Sequence, residues 1–169
     1  LWSGEGSSNP ESALKTLVSR LRVILAQVSP ALAECIVTER GSYRWVTQPG
    51  VSIDLYEFEE LEKRLSTCTE LTEESQRDYQ RALSLYGGNL LQGSEEEWAL
   101  SRSATLHASY LKLVYQYLTL LKAAERYNEI IDVCRAALDV DAFDETLHLQ
   151  LMNALVKTCR NNEALMQYK

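Results

Sequence analysis

Apolar residues recur three and four positions apart through most of this chain, with one interruption near its start. Leu14, Leu17, Val18, Leu21, Ile24, Leu25 and Val28 form a single stripe, which predicts an amphipathic helix over residues 9–27. Asn9 is placed to cap that helix, Pro10 fits its first position, Glu11 complements its dipole, and Pro30 ends it. The pattern then changes. Residues 35–38 and 43–46 are β-branched or aromatic and flank Glu39-Arg40-Gly41-Ser42, where Gly41 supplies turn geometry; this predicts a β-hairpin. Gln48-Pro49-Gly50 reads as a joint. Everything beyond it has helical spacing. Helices are expected over 54–65, where Asp54 and Glu57 suggest a capping box, then over 72–86, 95–123, 127–140 and 144–158, and from 161 onward.

The last of these helices repeat. Arg126-Tyr127-Asn128-Glu129 overlays Arg160-Asn161-Asn162-Glu163 at an offset of 34 residues, and the same offset sets Leu113 on Leu147, Tyr117 on Leu151 and Leu121 on Leu155. A helix-turn-helix unit of this period is the tetratricopeptide signature. Such a unit buries its apolar face only by stacking on neighbours, and the stacks hold partners. The fold expected is therefore mainly α: a tetratricopeptide-like antiparallel helical array, preceded by a helix and hairpin.

Composition narrows the class. Apolar residues make up 46% of the 169, ordinary for a globular chain, and no apolar run reaches membrane-spanning length. Residue 1 is Leu and the Met residues are Met152 and Met166, so both ends read as cut from something longer. The net charge of -7 is unevenly spread: residues 1–48 carry five basic and four acidic side chains, residues 49–169 carry 12 basic and 20 acidic. An acidic chain argues against non-specific wrapping of nucleic acid, while the first part can still meet phosphate.

The candidate chemistry is sparse. Cys35, Cys68, Cys134 and Cys159 lack C-x-x-C spacing and read as small buried hydrophobes in a reducing, cytoplasmic setting. His107 and His148 have no acid or Cys at ligand spacing, so no metal, cofactor or catalytic role is expected. Gly87-Gly88 lacks the Gly-Lys-Ser/Thr of a phosphate loop and reads as a helix stop. Glu95-Glu96-Glu97 reads as an acidic helix start, and Trp98 as a core anchor, the alternative being an exposed partner contact.

An amphipathic helix followed by a basic-tipped hairpin has the order of recognition helix and wing in a winged helix-turn-helix. The resemblance sharpens residue by residue. Leu1-Trp2, then Asn9-Pro10, Ala13-Leu14 and Val18-Ser19-Arg20-Leu21-Arg22, resemble the second half of an OmpR-type DNA-binding domain, in the form seen in the Streptomyces antibiotic regulatory protein (SARP) family. Val37-Thr38, Gly41 and Tyr43 match its wing. Asp54-Leu55, Phe58, Leu85-Tyr86-Gly87-Gly88-Asn89-Leu90-Leu91, Trp98-Ala99 and the repeat resemble the bacterial transcriptional activator domain that follows in those regulators.

The resemblance implies two domains, a partial winged helix over 1–48 and a helical activator domain over 51–169. It implies a non-enzymatic activator that binds double-stranded promoter DNA in the full-length protein. Its helical domain would form a homodimer or contact RNA polymerase or another regulator, away from any membrane. The DNA-contacting residues would be Lys15, Thr16 and Ser19 toward the groove, Arg20 and Arg22 at base edges or phosphate, and Arg40 and Arg44 on the wing. The competing reading is a tetratricopeptide-like protein-interaction scaffold that does not bind DNA.

Overall fold

A computed structural model describes residues 9–168. Among them are eight helices and one two-stranded antiparallel sheet, and the chain divides into two compact units that part between Ile53 and Asp54.

In the first unit, α1 (Pro10–Val28) is followed by α2 (Pro30–Glu34), β1 (Ile36–Glu39) and β2 (Ser42–Trp45). Asn9 accepts from the Ser12 amide at 3.1 Å, so the helix starts by the capping expected of it. Pro30 does more than end α1: it opens α2 at the first helical position, a five-residue helix that periodicity is too short to reveal. The strands pair Ile36 with Trp45 and Glu39 with Ser42. Arg40 (φ 49°) and Gly41 (φ 82°) are both left-handed, the requirement of a type I′ hairpin turn. Only Val18 of the α1 stripe is buried; Leu14 and Leu25 are half-buried. Leu17, Leu21, Ile24 and Val28 are exposed, because a five-residue helix and a short hairpin reach only one side of the stripe.

The second unit comprises α3 (Asp54–Leu65), α4 (Glu73–Leu85), α5 (Glu97–Ala123), α6 (Tyr127–Val140), α7 (Glu145–Lys157) and α8 (Asn161–Tyr168). Successive helices pack against each other around one core. The repeat extends to backbone detail. Leu113 and Leu147, Tyr117 and Leu151, and Leu121 and Leu155 are all buried. Glu125 (φ 55°) and Cys159 (φ 60°) occupy the same left-handed position after α5 and α7. The Arg126 amide donates to Leu121 O at 2.9 Å and the Arg160 amide to Leu155 O at 2.8 Å, the bond that closes a Schellman cap. Each of these arginines then pairs with the glutamate three residues on, Glu129 or Glu163.

Neither cap has the usual glycine. Exposed Glu125 therefore bears the ~1–2 kcal/mol cost of a left-handed side-chain residue, which glycine removes at an entropic cost of roughly 0.5–1 kcal/mol. Glu125→Gly is expected to stabilise the helical unit by up to about 1 kcal/mol, read as a higher denaturant midpoint at unchanged m-value.

Several local expectations are corrected. Asp54 lies inside α3 and bonds the adjacent Leu55 amide, while Glu57 makes a two-pronged pair with Arg81 of α4 at 2.6 and 2.8 Å; neither forms a capping box. The capping box belongs to Thr72 and Ser75 at the start of α4. Trp98 is 56% exposed, because the buried face of α5 runs through Ala99, Ser103, Leu106 and Tyr110 and leaves Trp98 to one side. Cys35 and Cys134 are buried as expected, but Cys68 is half-buried and Cys159 is exposed at its left-handed turn. Among the described residues no helix is long and apolar enough to cross a membrane.

Candidate nucleic-acid interface

The seven residues expected to meet DNA all lie in the first unit, but they do not stand equal. Arg22 is committed to the fold. It projects from the α1 face beside Val18, where its Nε and Nη2 donate to Ile36 O at 3.2 and 2.7 Å. Nη2 also donates to Thr38 Oγ1 at 3.1 Å, and the guanidinium lies 6.0 Å from the Tyr43 ring centroid. One arginine thus ties the helix to both strands. Replacing it removes charge-assisted bonds from a strand carbonyl, so Arg22→Ala is expected to cost roughly 1.5–3 kcal/mol of first-unit stability. Thermal unfolding followed by Trp45 fluorescence checks this.

The remaining residues line the exposed side. Lys15, Thr16, Ser19 and Arg20 are all exposed on α1. Lys15 pairs with Glu11 at 2.7 Å, and that partner raises the lysine pKa and lowers the glutamate's. Thr16 Oγ1 donates to Ser12 O at 3.0 Å, the back-bond that threonine makes within a helix. Arg20 makes no ion pair among the described residues. On the hairpin, Arg40 occupies the tip and also makes no ion pair, while Arg44 pairs with Glu39 at 3.2 Å. Both ion pairs are solvent-exposed and are worth little, so Lys15 and Arg44 can exchange a carboxylate for another anion at small cost. Two open cations and two loosely held ones therefore share this unit. The Leu1-Trp2 end of the resemblance lies outside the described residues.

In the second unit the histidines find partners that linear spacing hides. His107 Nε2 lies 3.2 Å from Asp141 Oδ2, and its Nδ1 lies 3.3 Å from the Tyr86 hydroxyl. His148 meets the Ala142 carbonyl at 2.9 Å. These contacts join neighbouring segments, and among the described residues no group of His, Cys, Asp and Glu could hold a metal ion. Gly87-Gly88 follows α4 but does not form its cap: the helix ends at Leu85 with Tyr86 extended (φ -83°, ψ 99°), and the left-handed Gly88 (φ 115°) lies two residues beyond that cap, in the following loop.

The described residues form a helical array preceded by a helix and hairpin, and comparison of the chain with known families places it. Residues 53–169 match the bacterial transcriptional activator domain, and the chain belongs to that family. The match covers the whole of the helical unit from its first turn. Comparison with curated proteins gave no match.

Proposed function

We propose that this chain is the C-terminal half of a winged helix joined to its activator domain, in a transcriptional regulator of the SARP type. In this reading α1 enters the major groove of promoter DNA and the hairpin lies along the backbone. The observation that carries it is the division of labour in the first unit. Arg22 braces the hairpin against α1, while Arg20, beside the small hydroxyls of Thr16 and Ser19 on the helix, and Arg40 at the hairpin tip are exposed and make no ion pair among the described residues. Small and cationic side chains on one helix face suit a base edge and its flanking phosphates. Membership of an activator-domain family supports the same reading, since such a domain acts on transcription.

The helical unit would then mediate dimerisation or contact the transcription machinery, with no chemistry of its own, in the cytoplasm. The apolar strip of Leu17, Leu21, Ile24 and Val28 is a further association surface. A gel shift with the full-length protein on its own promoter region tests the DNA reading. A sequence-dependent, salt-sensitive shift supports it. No shift at low salt leaves the scaffold reading in its place.

A further inference from the structure

In the helical unit, a hollow of about 480 Å³ between α4, α5 and α6 adjoins one of about 710 Å³ between the loop after α4, α5 and the end of α6, and they share Asp139 and Val140. Their walls contain four carboxylates, Glu129, Asp132, Asp139 and Asp141, and no Lys or Arg. That absence is informative, because residues 49–169 hold 12 basic side chains, seven of them paired to carboxylates elsewhere on the unit.

Two of the four carboxylates are already engaged. Glu129 binds Arg126 and the Gln76 amide, and Asp141 meets His107. Asp132 and Asp139 are exposed and make no ion pair or hydrogen bond among the described residues; Asp132 acts on Arg160 only through space, and Arg160 is itself held by Glu163. They stand seven residues apart on α6, so about 10 Å separates them along the helix. Between them the wall is apolar, with Val133 and Ala136 facing Leu83 of α4. The floor is aromatic. Tyr86 and Tyr110 stack with ring centroids 4.5 Å apart, and Tyr117 stacks on Tyr79 at 4.8 Å. Tyr117 is 1% exposed and its hydroxyl makes no hydrogen bond, although Gln76 and Gln80 approach it.

We propose that this channel docks a basic segment of a partner protein, two of whose cations pair with Asp132 and Asp139 while the apolar residue between them packs on Val133 and Ala136. Charge complementarity selects the occupant. A channel that carries Asp132 and Asp139 unpaired among the described residues, with no Lys or Arg in its lining, repels nucleic acid and acidic peptides, and a guanidinium suits these carboxylates because it can meet each with two N–H donors. A polyproline II segment rises ~3.1 Å per residue with three residues per turn, so arginines three apart lie on one face ~9–10 Å apart and match the two aspartates. The proposal is independent of how α1 behaves on DNA.

The test uses the 169-residue chain and a fluorescein-labelled peptide of Arg, Leu and Ala with two arginines three residues apart, matching the ~10 Å spacing. Its twin carries citrulline, the neutral isostere, at both positions. The arginine peptide is expected to bind, and Asp132→Asn with Asp139→Asn to weaken it at least about tenfold. Salt should weaken it further, as screening requires. Replacing exposed Glu95, Glu96 and Glu97 with Gln removes more charge outside the channel and should leave the affinity unchanged. Amide shifts on peptide addition should centre on Val133, Ala136 and Ser84. Equal binding of the citrulline peptide, an unchanged affinity in the aspartate variant, or an equal loss in the Glu95–Glu97 variant overturns the proposal. Circular dichroism of both variants confirms that the helices are intact.

Discussion

Leu151→Ala is expected to lower the stability of the helical unit by ~2–5 kcal/mol, enough to unfold a large fraction of a domain of ordinary stability near its working temperature. Leu151 sits in the middle of α7 with 2% of its surface exposed. Truncation removes its transfer free energy and leaves a cavity that the α6 and α8 backbones on either side cannot collapse into without breaking their own contacts. Its counterpart at the 34-residue offset is Tyr117, stacked on Tyr79 in the same core. In a stacked array each unit depends on its neighbours, so the loss should spread beyond α7. Chemical denaturation followed by far-ultraviolet circular dichroism measures it. Leu149, on the same helix but exposed, is the control: Leu149→Ala should change stability by less than about 0.5 kcal/mol. Equal losses at the two sites would contradict the repeat-based core.

What could be seen in the sequence and what could not divides along physical lines. The repeat was visible because packing acts at every equivalent position: Leu113 and Leu147 are alike because each fills the same hole. The turn residues Arg126 and Arg160 were visible for the same reason, their side chains holding the next helix's first acid. The extent of α1 and the two strands followed from local periodicity and turn chemistry. By contrast, α2 is shorter than the window in which periodicity can be counted. Asp54 and Glu57 had the spacing of a capping box, but Arg81 in the next helix offers Glu57 a two-pronged partner that no local pattern reveals.

Trp98 shows the same limit from the other side. Its size suggested burial, yet the angular placement of Ala99 and Ser103 on α5 decides which face turns inward. Arg22 is the instructive case for the candidate site. By composition it is one more cation on a helix flank, and its place on the strand carbonyl fourteen residues away becomes visible only in three dimensions. The acidic channel was equally hidden, since its four carboxylates belong to one helix and its ends, and which two of them, Asp132 and Asp139, go without an ion pair among the described residues is decided by placement, not by number.

The commitment of Arg22 to the hairpin also fixes how DNA recognition should be probed. A variant that includes Arg22 would confuse lost contacts with lost structure, so the informative triple is Arg20→Ala, Arg40→Ala and Arg44→Ala in the full-length protein. Among the described residues none of these side chains makes a bond that the first unit needs: Arg20 and Arg40 make no ion pair there, and the Arg44 pair with Glu39 is exposed. The fold should therefore survive, with unfolding temperature nearly unchanged. If α1 reads the major groove, Arg20→Ala alone should cost ~1–3 kcal/mol of binding, and the cost should depend on base sequence. Arg40 and Arg44 would meet phosphate, so their loss should weaken binding to every sequence alike and reduce the salt slope by about one unit each. The triple should then lose roughly 3–5 kcal/mol at low salt, summing a base contact and two phosphates. Fluorescence anisotropy on promoter DNA at several salt concentrations separates these effects. A triple variant with wild-type affinity and wild-type salt slope would remove α1 and the hairpin from the DNA surface, and the second unit's partner binding would then be the chain's whole activity.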